Sequence, residues 1–427
     1  MHQKTDHRIL TFLVCSLFIF TIQAQNEIST PYSSYGIGLV SHASNGILDA
    51  MGGASYAMQN PYYINFRNPA AYAAFDSLSF VADAAASVFS SRLTQGDKTQ
   101  KASYAKPGYL AIGLPVTRHW RTSLGIMPFS DIGYDIVTSK TIENIGVVTN
   151  EYSGKGGVNQ LYWGNAFKIC KGLSIGLNVS YMFGSIFAYS NTEFDGSNFF
   201  NTYVSDAYNV KGVYLDAGLQ YLFNIGENHR IGIGAVYSNT AYIWANEKLL
   251  VNSYSGTYVS TSVYDTILLK DGLRGKLNIP QSVGGGLSYT YKDKITLAAD
   301  VTWRNWNKFS FIKPSRDTMR NSIGAALGFQ YIPDPLSNKF FKKLALRVGG
   351  HYSTGELLIR NKPISEFGVS VGVGIPLTTF NTHSSINLML EYGKNGTLAN
   401  GLVRQNYFRF SLCFTLQERW YQRVKLD

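Results

Sequence analysis

The sequence predicts an all-β protein, a 14-stranded antiparallel transmembrane β-barrel with an N-terminal hatch segment inside it. The first observation is alternation: residues 173–183 place apolar and polar or small side chains in strict turn, and about ten such residues form a tilted strand that crosses a bilayer. The second is that the connections between alternating segments are short and long in turn. The third is a lead segment, residues 26–77, which is rich in Gly, Ala, Asn and Tyr and follows neither the helical nor the strand period.

Fourteen segments have the alternation expected of wall strands. An even number of strands returns both ends of a barrel to the same side of the membrane. A soluble β-sandwich is the competing all-β fold, but its strands usually have about five or six residues. The predicted strands, which make up a barrel domain at 78–416, lie at 78–90, 108–117, 120–135, 154–170, 172–188, 208–224, 229–246, 281–291, 295–309, 319–331, 343–355, 365–377, 384–395 and 404–416.

The connections between these strands also fit a barrel, because outer-membrane barrels have short periplasmic turns and longer outer loops. The short connections are expected to be periplasmic turns and the long ones to be outer loops. The short ones lie at 118–119, 171, 225–228 and 292–294, and the long ones at 91–107, 136–153, 189–207 and 247–280.

The first residues are interpreted as a secretory signal peptide at 1–24. Lys4 and Arg8 precede a continuous apolar run from Ile9 to Ile22, and Ala24 provides a small residue where cleavage is expected. The run is shorter than the roughly twenty residues that a spanning helix needs, and no later window of the sequence has that many apolar residues in a row. We therefore expect an exported protein in the outer membrane of a Gram-negative bacterium.

Residues 25–77 are interpreted as a hatch inside the barrel. Turns are expected at Gly52–Gly53 and at Asn68–Pro69, since Gly tolerates positive φ and the residue before Pro avoids the α region. A surface arm of Gly-rich coil is the alternative interpretation of this segment.

The end of the chain carries a second barrel signal. Residues 407–416 alternate with aromatic and apolar side chains on one face, in a pattern that resembles the terminal strand read by the outer-membrane assembly machinery. A short basic tail at 417–427 follows and is predicted to be periplasmic, with Trp420 and Tyr421 suited to the membrane interface.

Composition restricts the partners. Charged residues make up only 15% of the chain, against roughly 25% in an ordinary soluble domain. The formal net charge of +11 suits anionic head groups, so outer-membrane lipids and lipopolysaccharide are expected partners. Lys and Arg are scattered along the chain, which argues against nucleic acid. Only Cys170 and Cys413 follow the signal peptide, which argues against a disulfide framework.

The sequence contains none of the catalytic or cofactor motifs that were sought. It has no nucleophile elbow, no paired-His metal helix and no phosphate loop, and Gly372-x-Gly374 lies within a predicted strand with no helix after it. His351 is predicted to face inward near the outer rim, without a catalytic partner that the sequence identifies. We therefore predict a protein that is not an enzyme, with no catalytic residues, no metal site and no cofactor.

Several charged residues fall on the predicted inward face of the strands. Such charges need water, ion-pair partners or a polar plug. One interpretation is that they pair with each other or with the lead segment, and the other is that they line a passage. They are Asp216, Asp300, Arg304, Arg347, Glu391 and Arg409.

A proline interrupts the third predicted strand. Pro cannot donate to a β-ladder, so Pro128 marks a bulge or a gap in the wall. We predict a lateral-gate kink at Pro128, Phe129 and Ser130, through which the lumen opens sideways to the membrane. A simple bulge without a passage is the alternative.

Four features together resemble the outer-membrane transport family for long-chain fatty acids and aromatic hydrocarbons (the FadL/TodX type). They are Met51-Gly52-Gly53-Ala54, Asn68-Pro69-Ala70 just before the first strand, the break at Pro128-Phe129-Ser130, and the terminal strand at 407–416. The resemblance implies a fourteen-stranded barrel, an N-terminal hatch, and a hydrophobic small molecule that binds between hatch and wall and leaves sideways. The residues expected to bind this ligand are Phe66, Asn68, Pro69, Ala70, Tyr72, Phe75 and Phe129.

Three functions follow from this architecture. The leading hypothesis is a channel for passive uptake of hydrophobic compounds, which requires a continuous apolar path from the outer loops to Pro128. A lumen sealed by charged pairs would count against it. The alternative is a non-transporting accessory barrel in an outer-membrane secretion or assembly complex, which implies protein partners. A general porin would require an unplugged lumen.

Overall fold

The computed structural model describes residues 30–41, 44–195, 199–256, 262–311, 318–337, 339–377 and 383–419. The predicted signal peptide and residues 420–427 of the predicted tail lie outside these ranges. Among the described residues, no helix has the length and apolar character needed to cross a membrane.

Fourteen antiparallel strands, counted over the described residues, form one closed wall, which confirms the predicted fold class. The last strand pairs with the first, from Ser79 opposite Arg419 to Thr94 opposite Arg404, so the wall has no free outer edges at its seam. The strands are β1 (Ser79–Gln95), β2 (Lys98–Pro115), β3 (Trp120–Ile142), β4 (Gly146–Cys170), β5 (Leu173–Phe194), β6 (Asn201–Ile225), β7 (His229–Ser238 and Ala241–Ser255), β8 (Ser262–Ile279 and Ser282–Tyr291), β9 (Ile295–Arg304), β10 (Ser322–Tyr331), β11 (Ala345–Ser353), β12 (Glu366–Leu377), β13 (Ser384–Gly396) and β14 (Arg404–Arg419).

We call the end at which β1 begins and β14 ends the base, and the opposite end the rim. Alternation along each strand sorts the side chains between the outside and the lumen. On β5, Leu177 and Tyr181 are exposed on the outer surface, whereas Asn178 and Ser180 between them are buried inside. An apolar outer band of this kind is typical of a surface that faces lipid.

The predicted long outer loops are wrong for most of their length. Residues 91–107 continue β1 and β2 to a tight turn at 96–97, and residues 136–153 continue β3 and β4 to a turn at 143–145. Likewise, most of 189–207 and 247–280 lies in strands β5 to β8. Near the rim both faces of a hairpin carry polar residues, so the ladder continues although the alternation that identifies a strand fades.

The described parts of the lead segment, residues 30–41 and 44–77, lie inside the wall, and we call them the hatch segment. It descends from the rim, where the Tyr32 hydroxyl donates to the Val403 carbonyl, to the base, where Arg121 Nε donates to the Phe75 carbonyl at 2.9 Å. Its regular elements are a 3-10 helix at Pro31–Ser34, a two-residue strand at Leu39–Val40, helix α1 at Gly46–Asp49 and a 3-10 helix at Pro69–Ala74.

The turns predicted in this segment form for the expected reasons. Gly52 and Gly53 both have positive φ, of 69° and 83°. The side chain of Asn68 accepts a hydrogen bond from the Ala70 amide and so caps the Pro69–Ala74 helix, whose first residue is the proline.

Apolar side chains fill the lumen on both sides of α1. Toward the rim, Ile37 of the hatch segment packs with Ile132 and Ile243 of the wall. Toward the base, Phe66 and Tyr72 pack with Tyr109 and Tyr162. The core of this protein therefore lies between the hatch segment and the wall, in place of an open channel.

Inward glycines of the wall let the hatch backbone approach closely. A Cβ added at Gly234 would overlap the Tyr56 carbonyl oxygen, and one at Gly349 would overlap the backbone of Met51 and Gly52. Two backbones can meet in this way only where one side lacks a side chain.

We expect Gly234→Ala to displace the hatch segment while the wall still closes. The overlap is with backbone, which cannot move aside as a side chain can, and such overpacking usually costs about 1–3 kcal/mol. Thermal unfolding should show the loss, and limited proteolysis should cut residues 50–60 faster. The matched control is Gly285→Ala on the adjacent strand, where the nearest atom to an added Cβ is 3.9 Å away. Equal behaviour of the two variants would contradict the close packing at Gly234.

Candidate functional site: the lateral gap and the lumen beside it

The wall opens between β2 and β3. These strands pair from Pro115 opposite Arg121 only as far as Leu110 opposite Ile126, and within the described residues they do not pair with each other nearer the rim. On its other edge, β3 stays paired with β4 but has a bulge between Pro128 and Ser130. The predicted kink therefore lies where the gap begins.

A second proline faces Pro128 across the gap, and the sequence interpretation missed it. Pro107 and Gly108 of β2 form a bulge against Ala85 and Ala86 of β1. A Pro-Gly pair is a signal for such a break, but Pro107 lies at the end of the predicted outer loop 91–107, where a proline needs no explanation. Each of the two separating strands thus carries a residue without a backbone N–H at the point of separation.

The hatch segment covers the β3 side of this gap. Leu39 and Val40 pair with Asp131 and Ser130, and the Ser41 amide donates to the Phe129 carbonyl at 2.8 Å. The hatch strand takes the place that β2 would otherwise hold in the ladder. An ion pair, Lys106 Nζ to Asp131 Oδ2 at 3.3 Å, joins the two strands that border the gap.

A cavity of about 240 Å³ lies beside the gap, between the hatch segment and the wall. Lys106, Pro107 and Pro128 line it on the gap side. Its other walls carry ionisable groups of both signs, namely Asp49, Arg67, Asp300, Arg304, His351, Glu356, Glu366, Glu391 and Arg409.

Arg409 of β14 holds helix α1 against the wall. Its Nη1 lies 3.3 Å from Asp49 Oδ2, and its Nη2 lies 2.6 Å from Glu391 Oε2 of β13. The Tyr407 hydroxyl donates to the same Glu391 at 2.9 Å. Burial raises the pKa of the Asp49 carboxyl, and the Arg409 guanidinium and the Ser44 hydroxyl offset part of that rise.

Two further wall carboxylates bind the backbone of the hatch segment. Asp300 Oδ2 accepts from the amides of Ser55 and Tyr56 at 2.6 and 2.9 Å. Asp83 Oδ2 accepts from the Ile64 amide at 2.6 Å and from Asn45 Nδ2 at 3.0 Å. The interpretation that inward charges pair with the lead segment therefore holds for Asp300 and Arg409.

Other inward charges pair with the wall itself. Arg347 Nε donates to Gln330 at 2.8 Å and Arg347 Nη1 donates to Asn387 at 2.8 Å. Arg347 is thus held by two amide side chains of neighbouring strands.

The structure places the residues predicted to bind a ligand in two neighbouring surroundings, and Phe66 belongs to both. Phe66 and Phe129 line a second cavity of about 140 Å³, on the other side of hatch residues 40–41. The Tyr72 hydroxyl donates to Asn178 at 3.1 Å, and Asn68 Nδ2 donates to the Tyr56 carbonyl at 2.6 Å. Pro69, Ala70, Tyr72 and Phe75 are buried in the packing between hatch and wall.

The lumen above the gap is packed, and the cavity beside the gap is lined by charges. At the rim, Tyr32 of the hatch segment packs with Leu357, Ile359 and Leu402. The cavity that extends from Ile364 near the rim to Pro128 is lined by charged groups of both signs and is not an apolar path. The described hatch residues occupy the lumen, which is therefore not the unplugged lumen of a general porin.

The described residues contain no group of three or more His, Cys, Asp or Glu that could hold a metal ion. Cys170 is exposed and Cys413 is buried, and neither forms a disulfide.

The protein is a fourteen-stranded barrel with the fold of solved hydrocarbon transporters and of a FadL homologue. A toluene transporter from P. putida, TodX, aligns with a TM-score of 0.59 at 16% identity, over 90% of this chain and 100% of its own. A Pseudomonas aeruginosa FadL homologue aligns with a TM-score of 0.60 at 13% identity, over 90% and 100%. The Ralstonia pickettii toluene transporter TbuX gives 0.54 at 14% identity, over 89% and 99%. At identities this low, the structural matches show that these proteins share a fold and nothing more.

The particular family comes from the sequence. The family model BamG matches residues 7–427, and this chain belongs to the BamG family. No curated protein sequence matches it.

We expect Arg409→Met to loosen the hatch segment. The substitution leaves Asp49 and Glu391 as buried carboxylates without their cation, and breaking a buried pair in this way typically costs about 3–5 kcal/mol. Denaturant unfolding should show the loss, and hydrogen exchange at residues 44–56 should quicken. Arg92→Met, at an exposed position of β1, is the control and should leave both unchanged. Unaltered exchange in Arg409→Met would show that the ion pairs do not hold the segment.

Proposed function

We propose that this protein is an outer-membrane barrel that acts as a non-transporting accessory subunit of an outer-membrane secretion or assembly complex. The observation that carries the proposal is the plugged lumen, in which the hatch segment joins the wall through Arg409, Asp300 and Asp83. A subunit that does not transport needs no passage, so its lumen can hold a segment that is fixed to the wall in this way.

Displacing the hatch segment from the lumen costs free energy. A solute that crossed the lumen from rim to base would have to displace the hatch segment, which is held by the Arg409 and Asp300 contacts and by the ladder at Leu39–Val40. Each broken buried charge contact costs several kcal/mol unless a new partner replaces it. A passive channel has no energy source to cover such a cost, whereas a rigid scaffold gains from it.

Membership of the BamG family is the second support, because that family and not a hydrocarbon channel is what the whole sequence matches. The toluene transporters share the fold, and the same barrel can carry different functions.

We further propose how the barrel sits in the membrane. The apolar outer band contacts outer-membrane lipids, and the base faces the periplasm. Residues 1–24 act as the signal peptide, residues 25–77 as the hatch and residues 420–427 as a periplasmic tail; residues 417–419 of the predicted tail still belong to β14. Phe341 at the base fits this placement, since it is exposed beside Lys342 and Lys343 and suits a lipid head-group region.

Purification of the tagged full chain in a mild detergent tests the accessory role. We expect other outer-membrane proteins to co-purify in fixed stoichiometry, and we expect deletion of the protein to lower the amount of another folded barrel in the outer membrane. A monodisperse barrel without partners, from cells whose other barrels are unchanged, would refute the proposal. The control for non-specific capture is an unrelated tagged barrel of similar size that is exported with the same signal peptide.

A channel for passive uptake of hydrophobic compounds, with lateral exit, is the second candidate. The gap at Pro128 favours it, because an apolar solute that left into lipid would avoid the loss of about 0.8 kcal/mol per methylene on entering water. The ligand would be fatty-acid-like or an aromatic hydrocarbon, and Phe66 and Phe129 beside the smaller cavity are the residues placed to contact it.

Uptake of a labelled long-chain fatty acid separates the two candidates. The accessory role predicts equal uptake by deletion and wild-type cells. The channel predicts a fall on deletion, restored by the wild-type gene and restored less well by Phe129→Ala. The Arg92→Met variant, which leaves both cavities untouched, should restore uptake in full if the channel is correct.

A further inference from the structure

The border of the gap on the β2 side is a strand edge. Above Leu110, β2 pairs with β1, and the described residues place no second strand beside it. Ser91 Oγ of β1 donates to the Ala102 carbonyl at 3.2 Å, so that carbonyl points toward β1. Because backbone groups alternate between the two edges of a strand, those of Lys101, Ser103 and Ala105 point into the gap.

Over the part of the chain that the structure describes, the neighbouring strand β3 does not pair with this edge of β2. The facing edge of β3 is already paired with Leu39 and Val40 of the hatch segment. The Pro107 bulge in β2 and the Pro128 bulge in β3 also carry the two strands out of register. The hatch strand shows at the same time that an extended segment fits into this gap as an added strand.

The outer surface beside the gap differs from the rest of the band. The outward side chains of β2 in this part are Lys101, Ser103, Ala105 and Pro107, all exposed, whereas Leu110 and Ile112 below them are large and apolar. Small and polar outward residues let another backbone approach closely, and they make a poor contact for lipid tails.

This edge lies at the level of the lipid-facing band. Ala105 pairs with Val88, and Val88 pairs with Phe410 of β14, which is exposed on the outer surface. Lipid tails supply neither donors nor acceptors, and an unsatisfied backbone group among them costs several kcal/mol. A second extended polypeptide supplies both along its whole length.

We propose that residues 101–105 of β2 are a docking site for an extended segment of a partner membrane protein, which adds to the barrel wall as a strand at the gap. The proposal rests on the accessory function and names its contact surface. Main-chain hydrogen bonds provide the attraction, as in other cases of strand addition, and the small side chains of Ser103 and Ala105 permit the approach.

Site-specific photo-crosslinking in cells that make the full chain tests the docking site. A photoreactive residue is placed singly at Lys101, Ser103 and Ala105, and at Leu346 on the outward face of β11 as the control. We expect the three gap positions to crosslink to one protein. Successive positions along β2 should crosslink to partner residues that are two apart in sequence, in a constant order along the partner strand. We expect Leu346 to crosslink to lipid.

A proline variant tests the hydrogen bonds themselves. Ala105→Pro removes one gap-side N–H without removing a bond to β1, and should lower recovery of the partner about ten-fold, as expected for the loss of a main-chain contact and the clash of the ring. Ala105→Gly keeps the N–H and should leave recovery unchanged. Heat-modifiable migration on gels shows for each variant that the barrel is folded.

The outcomes distinguish a failure of the docking site from a failure of the proposed accessory function. Crosslinks to lipid alone at all four positions would overturn the docking site and favour lateral exit of a solute. Crosslinks to unrelated sites without the two-residue spacing would overturn strand addition. Stoichiometric partners that still co-purify with Ala105→Pro would place the contact elsewhere and leave the accessory function standing.

Discussion

A wall of fourteen strands encloses more space than its own inward side chains can occupy, and each polar atom in that space needs a partner. The hatch segment contributes to both requirements in this protein. Its backbone amides at Ser55, Tyr56 and Ile64 donate hydrogen bonds to wall carboxylates, and its apolar side chains pack against the wall above and below them. The wall and the hatch segment therefore depend on each other, and neither has a complete core alone.

The lateral gap follows from the same requirement. Pro107 and Pro128 remove donors from the two strands that separate, and the hatch strand at 39–40 restores partners to only one of them. The protein thus keeps a strand edge at the level of its lipid-facing band. Natural proteins usually cover such edges, because an open edge is a template for another chain. An open edge of this kind is an advantage where a strand of a partner protein pairs with it.

The fold is shared with toluene transporters at 16% identity or less in the examples described, and the BamG family is what the sequence matches. What distinguishes a channel from a scaffold on this fold is the chemistry of the lumen. Charged contacts between hatch and wall stabilise one closed arrangement, whereas a passage for apolar solutes needs an apolar lining that can open. The contacts of Arg409 and Asp300 belong to the first kind.

The sequence by itself determined the barrel, because alternation in segments such as 173–183 records which side chains meet lipid and which meet the lumen. It also located the break at Pro128, since proline has no backbone donor whatever surrounds it. Only the tertiary structure decided that the rim hairpins are strands, that Pro107 and Pro128 line one cavity, and that Phe66 and Tyr72 pack with the same tyrosines of the wall. Those facts depend on contacts between residues distant in the chain, such as Asp49 with Arg409. Local patterns carry no information about which distant partner a buried charge or an open strand edge will find.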